Sequence, residues 1–304
     1  MLTPEHKQTF NEDGYVCIEN ALPEDAFTPV IDEYDGVVDQ LAHDLKRHGR
    51  IQDLCSNLPF DTRLAALSRQ DEATYRQADD LVDIASVLGD ATFHFLRHPA
   101  LLDLMEPILG PEITCSPIQH VRCKLPFDLW DGASSYTAPW HQDAQVHTEE
   151  ADNRYILTVW IPLVDTDEEN GCLHVIPGYH RRERVLWSEG FGISEDNMPD
   201  AEPVAVPMQR GDVLLVHKLT PHASYANQTQ QIRWSMDLRY QRTGTPSGRS
   251  CYPDFVARSR RDPASELVDP EAWRTAWQEA LEKHPQKEPR KSRPTTPVDQ
   301  AVEV

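Results

Sequence analysis

GDVLLVHKLTPHAS, residues 211–224, followed at 232–241 by IRWSMDLRYQ, is the stretch that decides how this chain folds. A Gly-Asp turn leads into the apolar run 212–217, two histidines close the segment, and a second β-like run follows with no helix between. The same texture reaches back to about residue 112, with apolar runs at 113–124, 155–163, 172–176 and 203–208 separated by Gly, Pro, Asn and Asp. Strands dispersed in this way predict an antiparallel sandwich or barrel rather than a doubly wound sheet.

Upstream the pattern is helical. Residues 4–12, 24–47 and 71–97 carry apolar positions near a 3.6 spacing, as in Val38, Leu41 and Leu45, and a further short helix runs over 101–109 to Gly110 and Pro111. Residues 15–18 interrupt the helices as a candidate edge strand. The Pro- and charge-rich stretch 284–304 has the composition of a disordered tail. The expected organisation is one catalytic domain over 1–283: a helical part to about 110, a β core over about 111–245 and an extension to 283.

With 29 Lys and Arg against 50 Asp and Glu, the net charge of −21 disfavours nucleic acid and anionic membrane as partners. Six scattered cysteines without a C-x-x-C pair read as free thiols of a reducing compartment. No signal-peptide pattern opens the chain and no run approaches a membrane span, so a cytoplasmic protein is expected.

Residues 140–143 read Trp-His-Gln-Asp. In extended chain, positions i and i+2 share a side, so His141 and Asp143 can converge on one metal ion. The dipeptide pattern alone is weak. A third ligand from the strand region of His217 and His222 would complete two imidazoles and one carboxylate on one face of the metal. The opposite positions then stay open, as non-haem Fe(II) oxygenases require.

Beyond this pair the chain carries F-x-x-x-G-Y (Phe10, Gly14, Tyr15), K-x-P (Lys124, Pro126), VWIPLVDTDEENGCLHVIPGYH at 159–180, and R-x-S (Arg233, Ser235). In this order, together with WHQD and GDVLLVHKLTPHAS, they resemble the phytanoyl-CoA dioxygenase family over most of the chain. The resemblance implies a mainly β fold with flanking helices around a double-stranded β-helix, the cupin-like jelly roll. It implies Fe(II) held by His141, Asp143 and His222, with 2-oxoglutarate and O2 as cosubstrates. His222 is preferred over His217 because the family places a serine two residues and an arginine eleven residues after the distal histidine, matching Ser224 and Arg233.

Arg233 is then expected to grip the distal carboxylate of 2-oxoglutarate through its planar fork of donors, with Ser224 adding a hydroxyl. Trp160 is expected to wall that pocket, and a side chain near His120 to contact the cosubstrate. Alternation puts Thr158 on the face of Trp160, and Asp237 and Arg239 on the face of Arg233, where the last two can pair with one another. Related halogenases lack the carboxylate ligand, so Asp143 favours hydroxylation of a C–H bond of a small molecule, with release of succinate and CO2; demethylation, desaturation and epimerisation use the same oxidant and stay open.

Other features have structural readings beside functional ones. Asn170-Gly171 signals a hairpin. His147 is close enough to the metal motif to touch it or the substrate, and His174 and His180 are capable ligands without family support. Segments 125–139 and 181–202 offer lids, with Trp130, Tyr136, Trp187 and Phe191 either walling a pocket or packing the loops. Arg249, Arg258, Arg260 and Arg261 suit an anionic substrate, or more simply offset the acidic surface. A cupin-like metal enzyme that is not an oxygenase, and a non-enzymatic ligand-binding jelly roll, are the competing classes; Arg233 and Ser224 speak against the first, the full ligand set against the second.

Overall fold

The structure is a computed structural model that describes residues 2–129, 137–152, 154–186 and 191–285, with only the backbone of Tyr75. Trp130, Tyr136, Trp187 and the segment 286–304 therefore lie outside the described residues.

Two antiparallel sheets face one another. The larger is ordered β1 (Tyr15–Ile18), β8 (Val213–His217), β5 (Ile156–Pro162), β10 (Arg233–Arg242), β2 (Glu112–Cys115) and β11 (Phe255–Ser259), with β3 (His120–Lys124) beside β2 on the same edge of β10. The smaller is ordered β4 (Ala138–His141), β9 (His222–Ser224), β6 (Leu173–Val175) and β7 (Val204–Val206). β1 is an edge strand, as its sequence suggests.

Each face of the larger sheet has its own partner. Val121, Cys123, Val159, Ile161, Leu215, Trp234, Met236, Leu238 and Tyr240 point outward into one core shared with the helices. There Trp234 stacks on Phe60 at 4.5 Å and tilts against Tyr34 at 6.2 Å. On the inner face Trp160, Leu214 and Val216 meet Leu173, Val175, Val206 and Met208 in a second apolar cluster between the sheets. Because β5 is buried on both faces, it reads as a continuous apolar run instead of an alternation.

The helices are α1 (Pro4–Asp13), α2 (Glu24–Arg47), α3 (Phe60–Gln70), α4 (Glu72–Val82), α5 (Ile84–Val87), α6 (Asp90–Leu96), α7 (Pro99–Leu109) and α8 (Pro270–Lys283). The single helical pattern expected over 71–97 is in fact three helices. Asp83 ends α4 and caps α5, and Leu88 adopts a left-handed φ of 48°. Glu33 of α2 then accepts from the backbone N–H of Ala91 (2.8 Å) and Thr92 (3.0 Å), serving as the cap of α6, and a side chain at Gly89 would collide with its carboxylate.

Two further expectations are corrected. Asn170-Gly171 does reverse the chain, through reciprocal bonds between Asp167 and Asn170 at 2.9 and 3.0 Å. It does not join a hairpin, because β5 and β6 belong to different sheets and the turn carries the chain across the sandwich. The run 113–124 is two strands rather than one, broken at 116–119.

Candidate metal centre

Residues 81 positions apart in sequence meet because β4 pairs with β9, with His141 and His222 as register partners. Their rings lie 4.1 Å apart. Gln142 continues the extended backbone, with φ −118° and ψ 139°, so Asp143 returns to the side of His141 before the chain tightens into a 3₁₀ turn. The intervening Gln142 side chain points away and is fully engaged: it donates to the carbonyls of Leu219 (2.6 Å) and Arg184 (3.0 Å) and accepts from Leu186 N–H (2.6 Å). Within WHQD, the glutamine therefore anchors the motif to the loop that follows β6 and to the β8–β9 turn.

One ligand atom from each of His141, Asp143 and His222 lies within 4.8 Å of the others, and all three side chains are buried. Nδ1 of His141 sits 2.7 Å from the Pro139 carbonyl, and Nδ1 of His222 sits 3.0 Å from the Thr220 carbonyl. Each Nδ1–H is thereby committed and each Nε2 left with its lone pair, the arrangement a metal-binding imidazole needs. Burial, with the neighbouring His222, pushes the His141 pKa down to about 3, so this ring is neutral and ready to bind a cation. Burial alone would raise the Asp143 pKa, but Arg239, His222 and His141 together hold it below the ordinary carboxylate value. Two imidazoles with Nε2 directed at one point and an ionised carboxylate fit a divalent iron with open positions.

Beyond the cluster, toward the β3 end of β10, stands a group of opposite charge. Arg233 donates to Ser224 Oγ (3.1 Å) and Ser235 Oγ (2.5 Å), and its guanidinium lies 5.4 Å from the centre of the Trp160 ring. Lys124, its register partner on β3, donates to Ser224 Oγ and to the Tyr225 carbonyl, both at 2.5 Å. Burial lowers the Arg233 pKa to about 10; burial and Arg233 lower that of Lys124 as well. Among the described residues, Nε of Arg233 is buried with no hydrogen-bond partner. Two buried cations and an orphaned donor form a site that an anion would complete. Ser224 differs from its expected role: its hydroxyl donates to the Gly171 carbonyl (2.9 Å) and accepts from both cations.

His120 shares the inner face with Arg122 and Lys124, but its Nδ1 lies 2.9 Å from an Asp83 carboxylate oxygen. His217 is remote in role: it packs among Phe10, Tyr155 and His180, and its Nδ1 accepts from Leu219 N–H at 3.1 Å. His180 lies 3.1 Å from the Asn11 carbonyl, and His174 tilts against Tyr225 with ring centres 4.5 Å apart. His147 is buried beside the centre, its pKa pushed down to about 3 by burial, Lys218 and Arg239. Phe191, of the second candidate lid, stands against His141 with ring centres 4.8 Å apart.

Of the arginines after residue 243, Arg258 and Arg260 are engaged at α7, and Arg249 at the turn that follows the metal motif. Arg258 pairs with Asp103 (2.7 Å) and Glu106 (2.9 Å) of α7, Arg260 with Glu106 (2.8 Å), and Arg249 donates to the Val146 carbonyl (3.1 Å). What sequence reasoning missed is the environment of Asp143. Thr158 donates to its Oδ2, and Arg239 donates to its Oδ1 at 2.5 Å while pairing with Asp237 at 3.2 Å. The strand alternation placed Thr158 and Arg239 on the inner face and paired Arg239 with Asp237, as found, but nothing in it named Asp143.

Residues 10–235 match the family model for phytanoyl-CoA dioxygenase (PhyH). The peroxisomal phytanoyl-CoA dioxygenase of Mus musculus is 24% identical over 251 residues, covering 79% of this chain and 68% of the mouse protein. The 1-deoxypentalenic acid 11-beta-hydroxylase of Streptomyces exfoliatus is 28% identical over 207 residues, covering 61% of this chain and 71% of that protein. A solved structure of the epimerase SnoN, in complex with Fe3+, alpha ketoglutarate and nogalamycin RO, shares the fold with a TM-score of 0.53 at 21% identity, covering 80% of this chain and 86% of that one. The match over 10–235, with a His-Asp-His cluster lying in the matched span, shows that this chain belongs to the phytanoyl-CoA dioxygenase family and is an Fe(II)- and 2-oxoglutarate-dependent dioxygenase.

Proposed function

We propose that His141, Asp143 and His222 hold Fe(II), that Arg233 assisted by Lys124 takes the distal carboxylate of 2-oxoglutarate, and that the enzyme hydroxylates a C–H bond of a small molecule. The observation that carries this reading is the adjacency of two side-chain clusters of complementary charge, joined through β9, which carries both His222 and Ser224. A cluster of two imidazoles and a carboxylate suits a cation, and a buried Arg/Lys pair suits an anion.

Iron and 2-oxoglutarate, when bound, supply the O2-dependent oxidative decarboxylation that yields succinate, CO2 and the power to break a C–H bond. The chain's residues supply the rest. The Pro139 and Thr220 carbonyls fix the two imidazole tautomers, and Thr158 orients Asp143. Trp160 forms a wall beside Arg233, continuous with the apolar cluster that fills the sandwich there and keeps water out. Ser224 holds the two cations in place, and Ser235 accepts from Arg233.

The domain spans 1–283 in this reading, and the free cysteines and acidic charge support a cytoplasmic location without nucleic-acid or membrane partners. No helix among the described residues is long and apolar enough to cross a membrane. The family name does not carry its acyl-CoA substrate over to this chain, whose net charge of −21 offers no general attraction to a polyanion.

The test is anaerobic addition of Fe(II) and 2-oxoglutarate, watched for the visible charge-transfer band of the chelate, followed by a screen of small molecules for stimulated succinate release. The reading fails if wild type shows no band and if Asp143→Ala and Arg233→Ala leave iron and 2-oxoglutarate binding unchanged.

A further inference from the structure

We propose that Arg239 is a positioning residue of the metal centre: it occupies one oxygen of Asp143 and so leaves the other as the single oxygen offered to the metal. The inference rests on the reading of His141, Asp143 and His222 as the iron ligands.

Asp143 is fully buried, and its two oxygens have different surroundings. Oδ1 accepts from Nη2 of Arg239 at 2.5 Å. Oδ2 accepts from the Thr158 hydroxyl and is the oxygen that faces Nε2 of His222, 3.9 Å away. A carboxylate held in this way binds through Oδ2 alone, whereas a free one could swing both oxygens onto the metal. Monodentate binding matters because a second carboxylate oxygen would take a position that the cosubstrate or O2 must occupy.

The arrangement is built from both sheets. Asp143 follows β4 of the smaller sheet, whereas Arg239 and Thr158 stand on β10 and β5 of the larger one, as register partners on neighbouring strands. Arg239 is itself fixed from the other side by Asp237, 3.2 Å away and partly open to solvent. The guanidinium thus lies between two carboxylates. Such a planar fork bridges two acceptors with a defined separation, which an ammonium does less well. An arginine that merely filled the core would not need to meet the one carboxylate whose remaining oxygen, Oδ2, determines how many metal positions stay open.

The experiment titrates Co(II), a coloured surrogate for Fe(II), into metal-free full-length protein and reads both the dissociation constant and the ligand-field absorption, which reports coordination. Wild type and His222→Ala come first: binding by the former and loss in the latter establish the centre. Arg239→Met is expected to weaken Co(II) binding about thirtyfold, within the range for removing a hydrogen-bonding partner of a ligand, and to alter the absorption band. Arg239→Lys, which keeps the charge without the fork, is expected to recover most of the affinity and only part of the band shape. Should Arg239→Met not fold, Arg239→Gln, which keeps a donor and removes the charge, is read by the same criteria.

Folded Arg239→Met or Arg239→Gln protein with wild-type affinity and an unchanged band would overturn the positioning role while leaving the ligand assignment intact. Absence of Co(II) binding in wild type would overturn both.

Discussion

Lys124 and Arg233 stand opposite one another as register partners on β3 and β10, and both donate to the same oxygen, Ser224 Oγ, at 2.5 and 3.1 Å. Neighbouring cations that share one neutral acceptor repel each other, and burial makes the repulsion costlier. A dianionic cosubstrate held there, as we propose, would remove that penalty.

It follows that Arg233→Ala should weaken 2-oxoglutarate binding by more than a hundredfold and Lys124→Met by about tenfold, in line with the loss of charge-assisted hydrogen bonds. Ser224→Ala should cost less than about fivefold, since its hydroxyl already donates to Gly171. Anaerobic titration of 2-oxoglutarate into the metal-loaded protein measures all three. A Ser224→Ala defect as severe as that of Arg233→Ala would restore the serine to the role of a direct donor to the cosubstrate.

The two histidines of the β8–β9 region should separate cleanly. His217→Ala should retain iron and lose stability, because it empties space among Phe10, Tyr155 and His180. His222→Ala should lose iron. Metal content after reconstitution and the thermal midpoint decide the matter, and the reverse outcome would exchange their roles.

Acid should weaken the metal-free protein before its carboxylates titrate. Burial, then Lys218 and Arg239, push the His147 pKa down to about 3, and burial with His180 lowers that of His217. The unfolded chain binds these protons near pH 6.5, so between that value and the lower folded pKa it holds more of them than the native state does. The stabilisation is complete above about pH 6.5 and is lost as pH falls below it, by about 1.4 kcal/mol per pH unit for each histidine kept neutral. Denaturant midpoints measured from pH 7.5 to 5 should decline accordingly; a flat profile would contradict the burial of neutral imidazoles.

Gly14→Ala should destabilise the protein by roughly 2 kcal/mol or more without touching the metal site. Gly14 has a φ of 77°, and a Cβ there would collide with His180 and Thr220. Chemical denaturation compared with Co(II) affinity separates the two effects.

Much of this was legible in the chain itself, and the parts that were not share a physical cause. β5, β8 and β10 declare themselves because both their faces are buried or because motif residues stand on them. His222 could be told from His217 only by its spacing in sequence to Ser224 and Arg233. The break before α6 was hidden because its cap, Glu33, lies 58 residues before Ala91. The Asn170-Gly171 pair predicts a hairpin that does not form, because a turn motif specifies reversal of the chain and not the sheet in which the next strand lands. Ser224 and Arg239 have the same lesson at the site: alternation shows which way a side chain points, whereas its partner belongs to another sheet.

That division between sheets gives the centre a mechanical meaning. His141 and His222 ride on the smaller sheet, while Asp143 is tethered through Thr158 and Arg239 to the larger. The three donors therefore keep a common focus only at one spacing of the two layers. The packing of Leu173, Val175 and Leu214 sets that spacing like a shim between plates. Enlarging or trimming one of them should detune the metal's ligand field while the rest of the protein remains folded.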